Sequence, residues 1–145
     1  MIDKIKVVEQ KKIISDNGKI MHFIKKSDTE FSGFGEAYFS TVKKNSIKAW
    51  KMHRRMKCNI IVPYGEIVFV VMKKNYSEDK SDFDIINLSS ENYKRLTIPP
   101  NLWFGFKGIK FEESILINLS NEEHDPDEVD RKDINEINFN WSEIL

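Results

Sequence analysis

The stretch Cys58 to Met72 constrains the fold most: two apolar runs, Asn59 to Val62 and Ile67 to Met72, stand on either side of Pro63-Tyr64-Gly65. Short runs of Ile, Val and Phe closed by Pro or Gly suit a pleated, packed surface and are too brief for buried helices. They predict two strands joined by a tight turn, with Glu66 opening the second. The same grammar recurs along the chain. Ile5 to Ile14, Lys19 to Ile24 after the turn signal Asp16-Asn17-Gly18, Gly33 to Val42, Asp84 to Leu88, Lys94 to Ile98 and Ser114 to Leu119 are further β-rich segments. Their spacing predicts an all-β sandwich or barrel.

Between these segments, Asn75 to Asp82 is polar and charged and reads as a solvated loop. The acidic stretch Asn121 to Asp133 leads into INEINFNW, where Ile137, Phe139 and Trp141 alternate with polar residues and predict a short strand or a packed tail. No linker, internal repeat or long amphipathic helix interrupts the pattern, so residues 1–145 are expected to form one domain.

Twenty-three basic residues balance 23 acidic ones, which leaves no global field to gather nucleic acid or an anionic membrane. Any anion site must be local. The first ten residues mix charged side chains with short apolar pairs, and the longest apolar runs fall far short of a membrane span. A cytoplasmic protein is the expectation. Cys58 is the single cysteine, so no internal disulfide forms, and a strand position favours a small buried residue over a nucleophile. His53 has no histidine two positions away, and His22 and His124 lie on distant segments, so no metal site is expected.

Local positive charge does occur, in SIKAWKMHRR, Ser46 to Arg55. Strand alternation would put Lys51 and His53 on one face and Trp50 on the other, in a core or interface. Lys51 has two readings: a base, if burial and neighbouring cations lower its pKa, or a charged anchor for phosphate or an acid. His53 has the better intrinsic pKa for proton transfer.

In chain order, DNGKIMHF (Asp16 to Phe23), KAWKMH (Lys48 to His53), VPYGEIVFVV (Val62 to Val71), LSSENYKRLTIPPNLWFGF (Leu88 to Phe106), HDPDEV (His124 to Val129) and the closing INFNW resemble motifs of one family. It is the dTDP-4-dehydrorhamnose 3,5-epimerase family, a branch of the cupins. The resemblance implies a single cupin-type jelly-roll barrel and a nucleotide-linked 4-keto-6-deoxyhexose as substrate. It also implies proton removal beside the keto group, no metal or organic cofactor, and paired barrels in a homodimer. The chemistry is sound, because a keto group acidifies its neighbouring hydrogens if a base is within reach and the enolate oxygen is stabilised.

Matched residue by residue, the family's catalytic set is altered. Lys51 falls where the family has its basic His, with His53 in the second polar position; Phe104 stands for the other His. The strand Lys falls at Lys57 or Cys58, and the Tyr at Asn118. Asp133 matches the C-terminal acid with one residue of register, and Lys48 matches the Arg that grips pyrophosphate, though as a point charge rather than a fork. Lys51, His53 and Asp133 are therefore the expected catalytic residues. Lys48, Arg95, Asn118, Trp103 and Phe104 are the expected substrate contacts. Arg95 has a structural alternative, staying in the solvent or pairing with Glu91, and Trp103 and Phe104 have one as barrel packing. The function expected is epimerisation or keto-isomerisation of a nucleotide sugar in surface-polysaccharide synthesis; the alternative is a non-catalytic sugar-nucleotide-binding cupin or partner subunit.

Overall fold

The computed structural model describes residues 4–73 and 82–145. The expected loop from Asn75 lies outside the described residues, apart from its last residue, Asp82. Among the described residues, twelve strands run in order: β1 (Lys6–Glu9), β2 (Lys12–Ser15), β3 (Gly18–Met21), β4 (Glu36–Lys43), β5 (Ile47–His53), β6 (Cys58–Tyr64), β7 (Glu66–Met72), β8 (Phe83–Ser89), β9 (Lys94–Ile98), β10 (Phe104–Gly108), β11 (Glu113–Ser120) and β12 (Val129–Arg131). Two five-stranded antiparallel sheets form, one in the order β1-β9-β6-β11-β4 and the other β12-β5-β10-β7-β8. This is the all-β jelly roll that the sequence predicts. The β2–β3 hairpin stands apart as a third, two-stranded sheet.

The main core lies between the two large sheets. Ile60, Val62, Leu96, Ile98 and Leu116 from the first meet Ile67, Phe69, Val71, Leu88, Phe104 and Phe106 from the second, all buried. The intervening residues of β7, Val68 and Val70, point outward yet stay buried. They sit under a second cluster made by Trp50, Phe83, Ile109, Ile137, Trp141 and Ile144. A strand covered on both faces explains why residues 67–71 are apolar without alternation. INEINFNW is thus the packed tail of the two forms expected, held in 3-10 turns at Ile134–Glu136 and Trp141–Glu143.

The β6–β7 turn forms as expected. Gly65 takes φ of 87°, and a Cβ there would lie 2.2 Å from Ser114 Oγ, so only glycine fits. Ser114 Oγ in turn accepts the Glu66 N–H at 2.9 Å.

LWFGF, which is not among the predicted β-rich segments, is largely strand: β10 lies between β5 and β7 in the middle of its sheet. Two glycines in five residues weaken its β signal. Gly105 is tolerated because a Cβ would stand 2.6 Å from that of Ala49, so close approach of β5 requires its absence. β12, inside the acidic stretch, was likewise not expected.

Candidate active site

β5 carries the site. Directly paired residues in antiparallel strands share a face, and Lys51 pairs with Phe104 while Lys48 pairs with Phe106. Three steps along β5 therefore match two along β10. Simple alternation would turn Lys48 away from Lys51; the bulge at Ala49 and Trp50 returns it to the inner face. Trp50 faces outward and is buried at 2% exposure among Phe83, Phe139 and Trp141.

Lys51 and His53 share the inner face, as period-two alternation predicts, and both pack on Phe104. The Lys51 Nζ lies 5.5 Å from the centre of that ring, and the His53 ring centre lies 6.2 Å from it. Burial pulls the Lys51 ammonium below the usual lysine value, and Arg131 and Lys48 push the same way. Burial likewise lowers the pKa of His53, against the opposing pull of Glu128.

Glu128 is the residue that sequence reasoning missed. It ends the 3-10 turn Pro126–Glu128, is 1% exposed, and binds His53 Nδ1 through one carboxylate oxygen. Its other oxygen accepts the backbone N–H groups of Arg55 at 3.0 Å and Met56 at 3.1 Å. Burial alone would raise this carboxyl, but the hydrogen bonds from His53, Arg55 and Met56 outweigh it and hold the pKa below the ordinary value. An ionised carboxylate only accepts, so Nδ1 carries the proton and the neutral ring presents its lone pair at Nε2. That Nε2 is buried and has no hydrogen-bond partner among the described residues.

Facing this pair across the barrel are β4 and β11. Tyr38, Ser40, Cys58, Ile60, Leu116 and Asn118 close the inner chamber together with Lys51, Phe104 and Phe106. Asn118 donates from Nδ2 to the Tyr38 hydroxyl at 3.1 Å and contacts Cys58 Sγ at 3.7 Å, while its Oδ1 is buried without a partner. Burial raises the Tyr38 phenol above its ordinary pKa and pushes the Cys58 thiol up to about 11. Tyr38 sits beside Asn118 in the β4–β11 register. A phenol thus enters the chamber from the strand next to the one on which the family pattern places it.

A cleft of about 570 Å³ opens from the chamber, lined by Ser40, Lys48, Lys51, Phe106, Arg131, Lys132 and Asp133 among others. Arg131 joins the inner face through its pairing with Lys51. Asp133 is at this mouth, but the carboxylate on His53 belongs to Glu128; Asp133 begins the turn Ile134–Glu136. Trp103 lies on the other side of the sheet, under Lys132 Nζ at 4.8 Å and against the outer apolar cluster. Phe104 is 2% exposed and forms the chamber wall.

Arg95 is set apart from the site. It is 1% exposed on the outer face of the first sheet, where it binds Phe23 O at 2.9 Å, Asp28 Oδ2 at 3.2 Å and Glu30 Oε1 at 2.5 Å. It also lines a separate cleft of about 620 Å³ beneath the 22–30 segment. Its carboxylate partners are Asp28 and Glu30 in place of Glu91, and at this burial it is not left in the solvent. Among the described residues, no three His, Cys, Asp or Glu side chains converge as a metal site.

No protein-family model matches the chain. It is similar to the spore coat polysaccharide biosynthesis protein SpsL of Bacillus subtilis, at 25% identity over 148 residues covering 98% of this chain and 97% of that one. Among solved structures, the dTDP sugar isomerase from Desulfovibrio desulfuricans G20 matches with a TM-score of 0.85 and 29% identity, over 95% of this chain and 90% of that one. The dTDP-4-dehydrorhamnose 3,5-epimerase from Sulfolobus tokodaii has the same fold, with a TM-score of 0.78 and 20% identity over 97% and 84% of the two chains. This chain has the barrel of the dTDP-4-dehydrorhamnose 3,5-epimerase-like cupins. Inside that barrel, this chain brings together the Lys51 and His53 pair and the Glu128 carboxylate, with the Tyr38 phenol on the chamber wall.

Proposed function

We propose that this chain is a nucleotide-sugar epimerase or keto-isomerase acting on a nucleotide-linked 4-keto-6-deoxyhexose in surface-polysaccharide synthesis. One arrangement carries the reading: an imidazole held by a buried carboxylate with its Nε2 unpartnered, packed on the Phe104 wall beside Lys51, which lines both the chamber and the cation-lined cleft. Lys48 and Arg131 at the mouth suit the two phosphates of a nucleoside diphosphate. The sugar then lies inward, with His53 Nε2 taking the proton beside the keto carbon, Lys51 at the carbonyl, and Tyr38 and Asn118 on the opposite wall. Cupin relatives similar to this chain include a dTDP sugar isomerase, and the polysaccharide setting follows SpsL.

The test is exchange. A dTDP-linked 4-keto-6-deoxyglucose incubated in heavy water with the protein gains deuterium beside the keto carbon, and His53→Ala abolishes the gain. No exchange with any dTDP- or CDP-linked 4-keto-6-deoxyhexose removes the enzymatic reading.

A second reading, binding without turnover, draws on the tightness of the innermost hollow. At about 30 Å³ it has room for a water or two, with Phe104 and Phe106 in its wall. Thermal shift against a panel of nucleotides and nucleotide sugars detects binding of either kind, and exchange then separates the two.

The protein works as a cytoplasmic homodimer in this proposal. The β2–β3 hairpin exposes Ile13, Ile14 and Ile20, with Ile14 at 73%, which is unfavourable for a lone chain and suits a second barrel. Sedimentation gives the mass directly. No helix among the described residues is long and apolar enough to cross a membrane.

A further inference from the structure

Lys51 differs from the other cations around the cleft. Lys48 Nζ donates to Thr41 O at 3.0 Å, and Lys132 Nζ rests over Trp103. Lys51 Nζ has no carboxylate, carbonyl or hydroxyl acceptor among the described residues. Its neighbour is the Phe104 ring, and Cys58, Ile60, Phe106 and Leu116 make much of the surrounding wall. Half-buried against this apolar wall, the ammonium is disfavoured relative to the neutral amine. Lys48 and Arg131 add like charge from the same cleft. Desolvation joined to neighbouring cations is the setting that turns a lysine into a nucleophile toward carbonyl carbon.

Proton abstraction leaves this amine unused, because His53 already presents a lone pair. We propose that Lys51 is a covalent catalyst, its Nζ condensing with the keto carbon of the bound sugar to an imine before His53 removes the neighbouring proton. The inference rests on the nucleotide keto-sugar reading above.

The steps balance. The amine lone pair forms the C–N bond while the carbonyl π pair moves to oxygen, which takes up a proton. That hydroxyl leaves as water, and the nitrogen closes the C=N bond as a protonated imine. His53 Nε2 then takes the proton from the adjacent carbon, and the freed C–H pair becomes the C=C of an enamine. Return of a proton to carbon and addition of one water restore a ketone and the free amine. One water is released and one consumed, with no change of oxidation state. The protonated imine already carries the positive charge that a neutral ketone must borrow from hydrogen bonds, so it is the better electron sink. Bound phosphates neutralise Lys48 and Arg131, but burial, the larger cause that lowers the Lys51 pKa, deepens as the sugar displaces water.

The experiment incubates the full chain with dTDP-4-keto-6-deoxyglucose and cyanoborohydride, which reduces protonated imines in preference to ketones. Intact-mass analysis is expected to show one adduct of the substrate's mass less one oxygen, located to the peptide holding Lys51 and suppressed by excess dTDP. Lys51→Arg, which keeps a cation but cannot condense, is expected to lose both the adduct and at least 100-fold of the deuterium exchange, with its folded spectrum and dTDP-induced thermal shift retained. Exchange in the native chain without any adduct overturns the covalent proposal and leaves the isomerase reading standing. An adduct that persists in Lys51→Arg also overturns it. Absence of both exchange and adduct overturns the two together.

Discussion

Glu128→Gln changes one atom and tests the proton arrangement at His53. The carboxylate has one oxygen on His53 Nδ1 and the other on the N–H groups of Arg55 and Met56. An amide keeps its oxygen where two donors point at it, so its NH₂ group must turn toward the imidazole. Nδ1 then becomes the acceptor, the ring proton moves to Nε2, and the unpartnered lone pair there disappears. General-base catalysis is worth about 10²–10⁴ in rate, and the same amide-for-carboxylate change behind a catalytic imidazole in hydrolase triads costs about 10⁴. At 1.36 kcal/mol per decade, the expected loss is about 3–5 kcal/mol of transition-state stabilisation.

Stability should fall much less. The hydrogen bonds persist with neutral partners, so the cost is the loss of charge assistance, about 2 kcal/mol, or about 4–8 °C in Tm for a chain of this size. Deuterium uptake by the keto sugar reports the rate, and long-range nitrogen–proton correlations of the imidazole report the tautomer. Exchange within threefold of the native rate, or an Nδ1–H tautomer retained in the variant, would refute the reasoning.

The acid side of the pH–rate profile follows from the same pair. Because burial lowers the His53 pKa, the base stays neutral below the ordinary histidine value of 6.5, so exchange should hold through pH 6.5 and fall only further into acid. Folding stability shares the sign: the unfolded chain takes up that proton more readily, so stability declines as pH drops below about 6.5. It declines again as the Glu128 carboxylate is titrated below 4.5, which denaturant melts at stepped pH would trace. Lys48→Ala and Arg131→Ala should each weaken substrate binding by about 1–2 kcal/mol, about 5- to 30-fold in KM, with salt narrowing the difference and exchange at saturation little changed. Arg95→Met should cost about 3–5 kcal/mol in urea melts by stranding the buried Glu30, while leaving dTDP affinity unaltered.

Much of the fold was legible because packing between sheets demands apolar runs of strand length, and Cys58 to Met72 supplies two with a turn that only Gly65 can make. β10 was hidden by Gly105 and Gly108, whose small size serves close contact with neighbouring strands rather than strand propensity. The pairing of Lys51 with His53 was legible from a two-residue period. Lys48 joining them was not, since a bulge is decided by tertiary register. Glu128 was harder still: it lies in HDPDEVD among other acids, and what distinguishes it is burial against His53, 75 positions earlier. Its local signal is its place at the end of a Pro-initiated turn, before Val129 opens β12. Asp125 and Asp130 on either side meet Arg55 and Arg54 at the surface instead.

The charges of the site are divided between the two sheets, and that division orients a substrate. β5 and β12 contribute Lys48, Lys51, His53 and Arg131, whereas β4 and β11 contribute the neutral hydrogen-bonding groups of Tyr38, Ser40 and Asn118. In the proposed function, a diphosphate is drawn to the cation side of the mouth, which leaves the sugar as the inward end of the molecule. Its two ring faces then meet different chemistry, an imidazole lone pair on one and a phenol hydroxyl on the other. Protons are therefore not interchangeable between the faces: one leaving toward His53 and returning from Tyr38 inverts the carbon, while one returning from His53 does not. In the proposed function, the division of polar groups between the sheets, more than any single side chain, thus decides between inversion of the deprotonated carbon and simple exchange of its hydrogen.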